Sequence, residues 1–330
     1  MKISVVIPVY NSERTLRSCL ESIKRSNVKP FELIIIDDGS TDNSIEIAKE
    51  FNFRIIKLKK NSGPAVARNK GAKSAKGDVI LFIDSDVVIP NNVIQKVVND
   101  FKKEKVDAVQ GIYSVKQRYN NKVSQYQQSY YCYQYLSIKN EFVGIFNTFF
   151  CAIKKDVFNK LNGFNEGIPR ATVEDTEFGY LLIKNDHKIY LDKSIQVEHL
   201  INYSLVRFIK RRFFMSRDLM MSYLRINQYK KPKNIRFQEI LHTKISTLIS
   251  VFIAPIIILN ILLLEYYYFR YSFVFFMVLF VLLNLDFWIF IYKNGKYLFT
   301  GIFLTFLDRI FTFLGILIGL IEYLILNRKY

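Results

Sequence analysis

Short, continuous apolar runs alternate with stretches of helical period over residues 1–200. Ile3–Ile7 is unbroken and largely β-branched, the pattern of a strand buried on both faces in a parallel sheet. Leu16, Cys19, Leu20 and Ile23 then fall on one helical stripe, with Asn11 or Ser12 placed to cap the helix. A second strand is predicted over Phe31–Ile36, followed by a helix capped by Thr41 or Asp42 that runs to about Glu50. Arg54–Leu58 reads as a third strand. Asn61, Ser62, Gly63 and Pro64 make a turn into a helix, proline being tolerated in its first turn, and Gly77 closes that helix. Ile80–Ile83 is a further buried run, and Lys122–Lys139 reads as mainly helical. Such alternation predicts a doubly wound, mostly parallel α/β sheet.

Beyond about residue 200 the pattern changes. Ile245–Leu264 contains no charged residue and is long enough to cross a bilayer as a helix. Tyr271–Tyr292 is a second run, broken only by Asp286, and Leu298–Leu326 is a third that carries Asp308, Arg309 and Glu322. The first two runs form a hairpin, with Lys293 and Lys296 marking its return to the cytoplasmic side. For the third, two readings stay open. If it crosses, Arg328 and Lys329 end outside, against the usual charge bias; if it is interfacial or re-entrant, they stay inside. Asp308 and Arg309 either pair within a helix bundle or, the blander reading, sit at the interface.

Charge sharpens the division. The formal net charge is +18, and residues 201–244 carry far more Lys and Arg than acids, with only Asp218 and Glu239 opposing them. A basic segment directly before a span marks the cytoplasmic side and is drawn to anionic lipid by about 1 kcal/mol per basic residue. Its cations interleave with Leu205, Val206, Phe208, Ile209, Phe213 and Phe214, which suits an interfacial helix rather than a nucleic-acid surface. Three cysteines, without metal-type spacing, fit unpaired thiols in a reducing compartment. The first apolar run is too short, and too interrupted by Pro8, for a signal sequence, so insertion is expected to depend on the later runs.

Candidate chemistry gathers at the ends of the predicted strands. Asp84 and Asp86 follow the Ile80–Ile83 run, and Asp37 and Asp38 follow the second strand, so both pairs fall at C-terminal strand ends, the edge where open α/β sheets bind ligands. Paired carboxylates there suit a hard divalent cation, Mn²⁺ or Mg²⁺, that shares its coordination with phosphate oxygens. Asp86 is the candidate for direct coordination, and Asp84 for contact through water or with ribose hydroxyls. The crowded tyrosines at 113–135 offer either a sugar or headgroup surface or one face of a half-buried helix.

Val5-Val6-Ile7-Pro8-Val9-Tyr10-Asn11, Ile36-Asp37-Asp38-Gly39-Ser40-Thr41-Asp42 and Asp84-Ser85-Asp86 stand in an order and spacing that resemble the family 2 glycosyltransferases of the GT-A fold. Gly63-Pro64-Ala65-Val66-Ala67-Arg68-Asn69, Gly163-Phe164-Asn165-Glu166 and Val173-Glu174-Asp175-Thr176-Glu177-Phe178 extend the resemblance to about residue 200. It implies a GT-A domain over residues 1–200 (nucleotide-diphospho-sugar transferase, Rossmann-like), a basic amphipathic segment over 201–244, and a helical anchor over 245–330 with spans near 245–264, 271–292 and 298–326.

Carried over from the family, Pro8 and Tyr10 would flank the nucleotide base and Asp38 or Asp37 would accept a base N–H, as uracil and guanine offer. Arg68 would lie near the diphosphate. His199 is similar to an occasional third metal contact, its alternative being a structural histidine. Asp175 would act as the catalytic base, with Glu174 raising its pKa or orienting it, and the reaction would invert the anomeric centre. The implied partners are a nucleotide-sugar donor, a lipid-linked or glycan acceptor and a membrane, without nucleic acid. The implied location is the cell membrane with the catalytic domain cytoplasmic, in cell-envelope glycan synthesis. No Gln-x-x-Arg-Trp follows His199, which favours single addition over a processive synthase. A non-catalytic scaffold and a nucleotidyltransferase are the rivals outside this class.

Overall fold

The computed structural model describes residues 1–168, 173–226, 244–295 and 297–325. The chain divides into two compact units, one made of residues 1–116 and 138–201 and the other containing 117–137, 202–226 and the apolar helices.

In the first unit, β1 (Ile3–Val9), β2 (Glu32–Asp37), β3 (Arg54–Lys57) and β4 (Val79–Ile83) alternate with helices α1 (Leu16–Lys24), α2 (Ser44–Lys49) and α3 (Pro64–Ser74). β1 pairs in parallel with β2 and β4, and β2 with β3. Every residue of β4 is buried, as are all but Pro8 in β1, which is why both read as continuous apolar runs rather than alternating ones. After β5 (Val87–Val88) and α4 (Val93–Lys103) come β6 (Ala108–Tyr113), β7 (Phe142–Val143) and β8 (Phe150–Lys154). α6 (Lys155–Lys160), α7 (Glu174–Lys184) and β9 (Ile189–His199) complete the unit.

Among the described residues nine strands form one sheet, in the order β3-β2-β1-β4-β8-β6-β9-β5, with β7 on β9. The sheet is less parallel than the sequence pattern suggests. β8 enters antiparallel between β4 and β6, and β5 and β7 lie antiparallel to β9. β6 nonetheless keeps a parallel pairing with β9, so the antiparallel character is confined to β5, β7 and β8.

Local signals differ in detail. Asn11 does not cap α1. It takes a positive φ of 49°, and its Oδ1 accepts from the Thr41 N–H at 2.8 Å, while Thr15 precedes the helix. Asn43 stands at the N-terminus of α2, yet Asp42 does the capping by accepting from the Ser44 N–H at 3.0 Å. α3 ends at Ser74, ahead of Gly77. Cys19 is fully buried in the α1 stripe.

The second unit holds α5 (Lys122–Ser137), α8 (Leu205–Ile226), α9 (Ile245–Leu262), α10 (Tyr267–Gly295) and α11 (Leu298–Leu324). Each of the last three is long and apolar enough to cross a membrane. The tyrosines of α5 are packed rather than displayed: Tyr126 and Tyr130 meet Phe287 of α10 edge-on, each with centroids 5.6 Å apart. Asp308 and Arg309 do not sit at a wet interface. Both are about 1% exposed and pair with each other and, through Asp308, with Arg212 of α8. Arg309 also donates to Ser250 Oγ at 2.9 Å and to Asn284 Oδ1 at 3.2 Å. An unpaired charge at this depth would be costly, and the pairing answers that cost. The basic positions from 227 to 243 lie outside the described residues.

Candidate active site

The C-terminal ends of β1, β2 and β4 share one edge because the three strands are parallel and adjacent. Asp37 closes β2, and Asp38 follows it. Asp37 Oδ1 accepts from the Ser40 N–H at 2.9 Å. Asp38 is held through both oxygens, from the N–H of Ser62 at 2.7 Å and of Gly63 at 2.8 Å. Loss of hydration nonetheless pushes the Asp38 carboxyl above its ordinary range, against the lowering effect of these two donors. Gly39 is required between the two loops. Its φ is +76°, and a Cβ there would stand 2.9 Å from the Asn61 nitrogen. Tyr10, at the end of β1, is half exposed at 47%, and Pro8 pairs in register with Ile36.

Asp84 and Asp86 flank a turn in which the Val87 N–H bonds back to the Asp84 carbonyl at 3.1 Å. The two side chains part company. Asp84 Oδ1 accepts from Arg68 Nη2 at 2.8 Å, whereas Asp86 Oδ2 lies 3.2 Å from His199 Nε2. His199 ends β9, where it pairs in register with Val87. Its ring stacks on Tyr113 with centroids 4.7 Å apart, and Tyr113 stacks on Phe149 at 3.7 Å. That aromatic column fixes the imidazole against Asp86.

Arg68 is 4% exposed and does not present its guanidinium to solvent. Nη1 donates to Glu174 Oε1 at 2.9 Å while Nη2 holds Asp84, so one arginine ties the β4 acid to the first turn of α7. This differs from a free diphosphate contact: the charge Arg68 carries is shared between two carboxylates. Beside Glu174, Asp175 accepts from the Thr176 N–H at 2.7 Å and more weakly from the Thr148 N–H at 3.4 Å. Loss of hydration, then the Glu174 charge, push the Asp175 carboxyl up to about 7, against the pull of Arg68 and of those two N–H groups.

Asp84, Glu174 and Asp175 are thus grouped around Arg68, and Asp86 with His199 forms a second, adjoining pair. Among the described residues no three His, Cys, Asp and Glu side chains close a metal cage. A carboxylate oxygen and an imidazole nitrogen facing each other do fit one edge of an octahedral cation whose other ligands are phosphate oxygens and water. Thr148 and the Tyr113–Phe149 column escaped the sequence reading. Tyr113 had a findable signal, since it ends a strand at the same edge; Thr148 lies in a loop and had none.

A mixed sheet with carboxylates converging on its C-terminal edge is the architecture of the GT-A glycosyltransferases, and similarity to known proteins narrows the class. Residues 4–162, just under half of the chain, match the family described as Glycosyl transferase family 2. The chain is 37% identical over 116 residues to glycosyltransferase GlyG of Streptococcus pneumoniae, covering 34% of this chain and 38% of that protein. It is 40% identical over 119 residues to a poly(ribitol-phosphate) beta-glucosyltransferase of Bacillus spizizenii, covering 34% of this chain and 19% of that one. The matched segments therefore span well under half of these relatives.

Over the whole fold, the mannosyltransferase PcManGT of Pyrobaculum calidifontis, solved with GDP-Man and Mn²⁺, superimposes with a TM-score of 0.59 at 15% identity, covering 99% of this chain and 88% of that one. Residues 1–349 of S. aureus TarS, solved with UDP-GlcNAc, give a TM-score of 0.51 at 16% identity, covering 98% of this chain and 91% of that one.

Proposed function

We propose that the protein is a membrane-anchored, inverting glycosyltransferase. It moves one sugar from a nucleotide-diphosphate donor, a UDP-sugar in preference to a GDP-sugar, to a hydroxyl or phosphate of a lipid-linked acceptor. The observation that carries this reading is the division of labour at the strand edge. Asp86 lies 3.2 Å from His199, a pair fit to hold a cation, while Asp175, with its raised pKa, stands apart from that pair beside Glu174.

In this reading Asp38 or Asp37 accepts a base N–H, Pro8 and Tyr10 flank the base, and Asp84 contacts the ribose or reaches the cation through water. Arg68 holds Asp84 and Glu174 in register. Asp175 takes the proton of the acceptor hydroxyl as its oxygen bonds to the anomeric carbon. The bond from that carbon to the diphosphate breaks on the opposite face, and the nucleoside diphosphate leaves with the bonding pair. A carboxyl tuned near neutrality serves as such a base far better than an ordinary aspartate. A divalent cation, Mn²⁺ or Mg²⁺, when held by Asp86 and His199, would supply positive charge to the departing diphosphate. Helices α9 and α10 anchor the chain in the cell membrane with the catalytic unit on the cytoplasmic side, where nucleotide sugars are made.

The test is thermal unfolding of the detergent-solubilised protein with UDP, GDP, CDP or ADP, with and without Mn²⁺. A metal-dependent rise for UDP or GDP that Asp86→Ala abolishes is expected. A folded protein that responds to no nucleotide would overturn the reading, and release of pyrophosphate instead of nucleoside diphosphate would turn it toward a nucleotidyltransferase.

A further inference from the structure

By length and composition α11 is as fit to cross a bilayer as α9 and α10. Its contacts argue otherwise. Gly315 and Gly319 bring its backbone onto α8: a Cβ at Gly315 would lie 2.3 Å from the Phe213 carbonyl oxygen, and one at Gly319 would lie 2.5 Å from that of Arg217. Asp308 pairs with Arg212, and Glu322 lies 3.8 Å from Arg217. Contacts therefore advance together along both helices, and α8 and α11 run side by side in the same direction.

α8 cannot cross. Arg207, Lys210 and Arg211 stand exposed in its first two turns, and Arg217 and Asp218 follow further along. Were α11 to span the bilayer with α8 alongside, α8 would end on the far face. The segment 227–243, which holds Lys230, Lys231, Lys233 and Arg236, would then have to pass back through hydrocarbon to begin α9. Charges at that density do not do so.

The level of the membrane surface within the unit is marked by α5. Its polar Lys122 lies over the Tyr297 ring at 5.5 Å, Ser129 bonds Tyr297 Oη at 2.6 Å, and Tyr133 packs on Phe287 and Phe290. From Phe287 back to Tyr267, α10 runs about 30 Å, one hydrocarbon thickness. α11 crosses α10 from this level inward, where Thr305 accepts from Trp288 Nε1 at 3.1 Å, Asn284 accepts from Arg309 and Phe306 meets Phe280 with centroids 5.7 Å apart, and it meets α9 where Phe313 packs on Phe252. From there it follows α8. The face it turns away from α8 exposes Phe303, Leu314 and Leu317.

We infer that α8 and α11 form a paired in-plane platform seated in the interfacial layer of an anionic leaflet. Only α9 and α10 cross, and the end of α11 lies on the same face as the catalytic unit. The exposed apolar face of α11 contacts acyl chains, and Arg207, Lys210 and Arg211 reach headgroup phosphates. This rests on the membrane-anchored reading above.

The experiment uses the full-length chain in sealed vesicles of both orientations, with an epitope tag after Tyr330 and, separately, Glu265→Cys between α9 and α10. Cys19, Cys132 and Cys151 are buried and stay silent to an impermeant maleimide. The expected result is labelling of the thiol introduced at position 265 on the face opposite the catalytic unit, with the tag cleaved by protease on the catalytic face. A tag cleaved on the same face as that thiol overturns the in-plane platform while leaving the anchor intact. Labelling at position 265 on the catalytic face overturns the anchor itself, and the platform with it. Nitroxides at Phe303→Cys and Leu317→Cys give an independent reading. These positions are separated by about 21 Å along the helix, so a crossing α11 places them at depths differing by roughly that amount. The platform places them at nearly the same depth, within about a third of that distance.

Discussion

Asp175 shows how one environment sets both reactivity and a stability cost. Burial and the Glu174 charge raise its pKa to about 7, so the proposed base accepts a proton near neutrality and a rising limb of activity is expected through that pH. Asp175→Asn removes the base and is expected to lower turnover by about 10²- to 10⁴-fold, measured as nucleoside diphosphate released under saturating donor. The same shift acts on folding with a definite sign. Below about pH 3.9 the carboxyl is protonated in both states and costs nothing. As pH rises toward the folded value, the unfolded chain gives up this proton while the native state keeps it, so native stability falls, and above that value the loss is complete. Asp175→Asn has no such penalty. Its melting temperature relative to the parent is expected to rise between pH 4 and 7 and then level off; a difference that shrinks with pH would show that Asp175 is stabilised as the anion.

At the scale of elements, what could be read from the chain was whatever local pattern decides. β1, β2 and β4 were legible because strands buried on both faces leave unbroken apolar runs, and their order put Asp37, Asp38, Asp84 and Asp86 on one edge; β3, the edge strand, is only partly buried. What was not legible depended on partners distant in sequence. Asn11 looked like a cap, yet it turns to Thr41 instead. Arg68 looked like a phosphate ligand, yet Glu174, which it grips, lies more than a hundred residues away. Gly315 and Gly319, four residues apart on an apolar helix, do announce a close helix contact, but not that the partner is α8. Gly315→Leu would drive a side chain into the Phe213 carbonyl and Ser216, and neither backbone can yield without parting the helices. We expect it to lower the melting temperature of the solubilised protein, whereas Leu314→Ala on the exposed face changes it little. Equal effects from both would show that the helices do not meet at Gly315.

Across the helical unit as a whole, Asp308 is the counter-charge that lets the bundle close. It takes both Arg212 from α8 and Arg309 from its own helix, and Arg309 extends to α9 through Ser250 and to α10 through Asn284. Four helices therefore meet at one carboxylate. The apolar runs announced three of these helices plainly. The pairing was hidden, because a charge within an apolar run reads the same from sequence whether it lies at an interface or is matched inside a bundle. Removing one partner from a buried ionic group costs more than the group itself contributes, since the remaining charges stay desolvated. Asp308→Asn leaves two buried guanidinium groups without an anion and is expected to cost about 3–5 kcal/mol, read from denaturation of the detergent-solubilised protein. Adding Arg212→Met to Asp308→Asn removes one stranded charge and is expected to recover part of that loss, although it deletes a further native side chain. The double-mutant cycle should therefore show strong coupling. If the losses simply add, Arg212 and Asp308 act independently, and the four helices are held by packing alone.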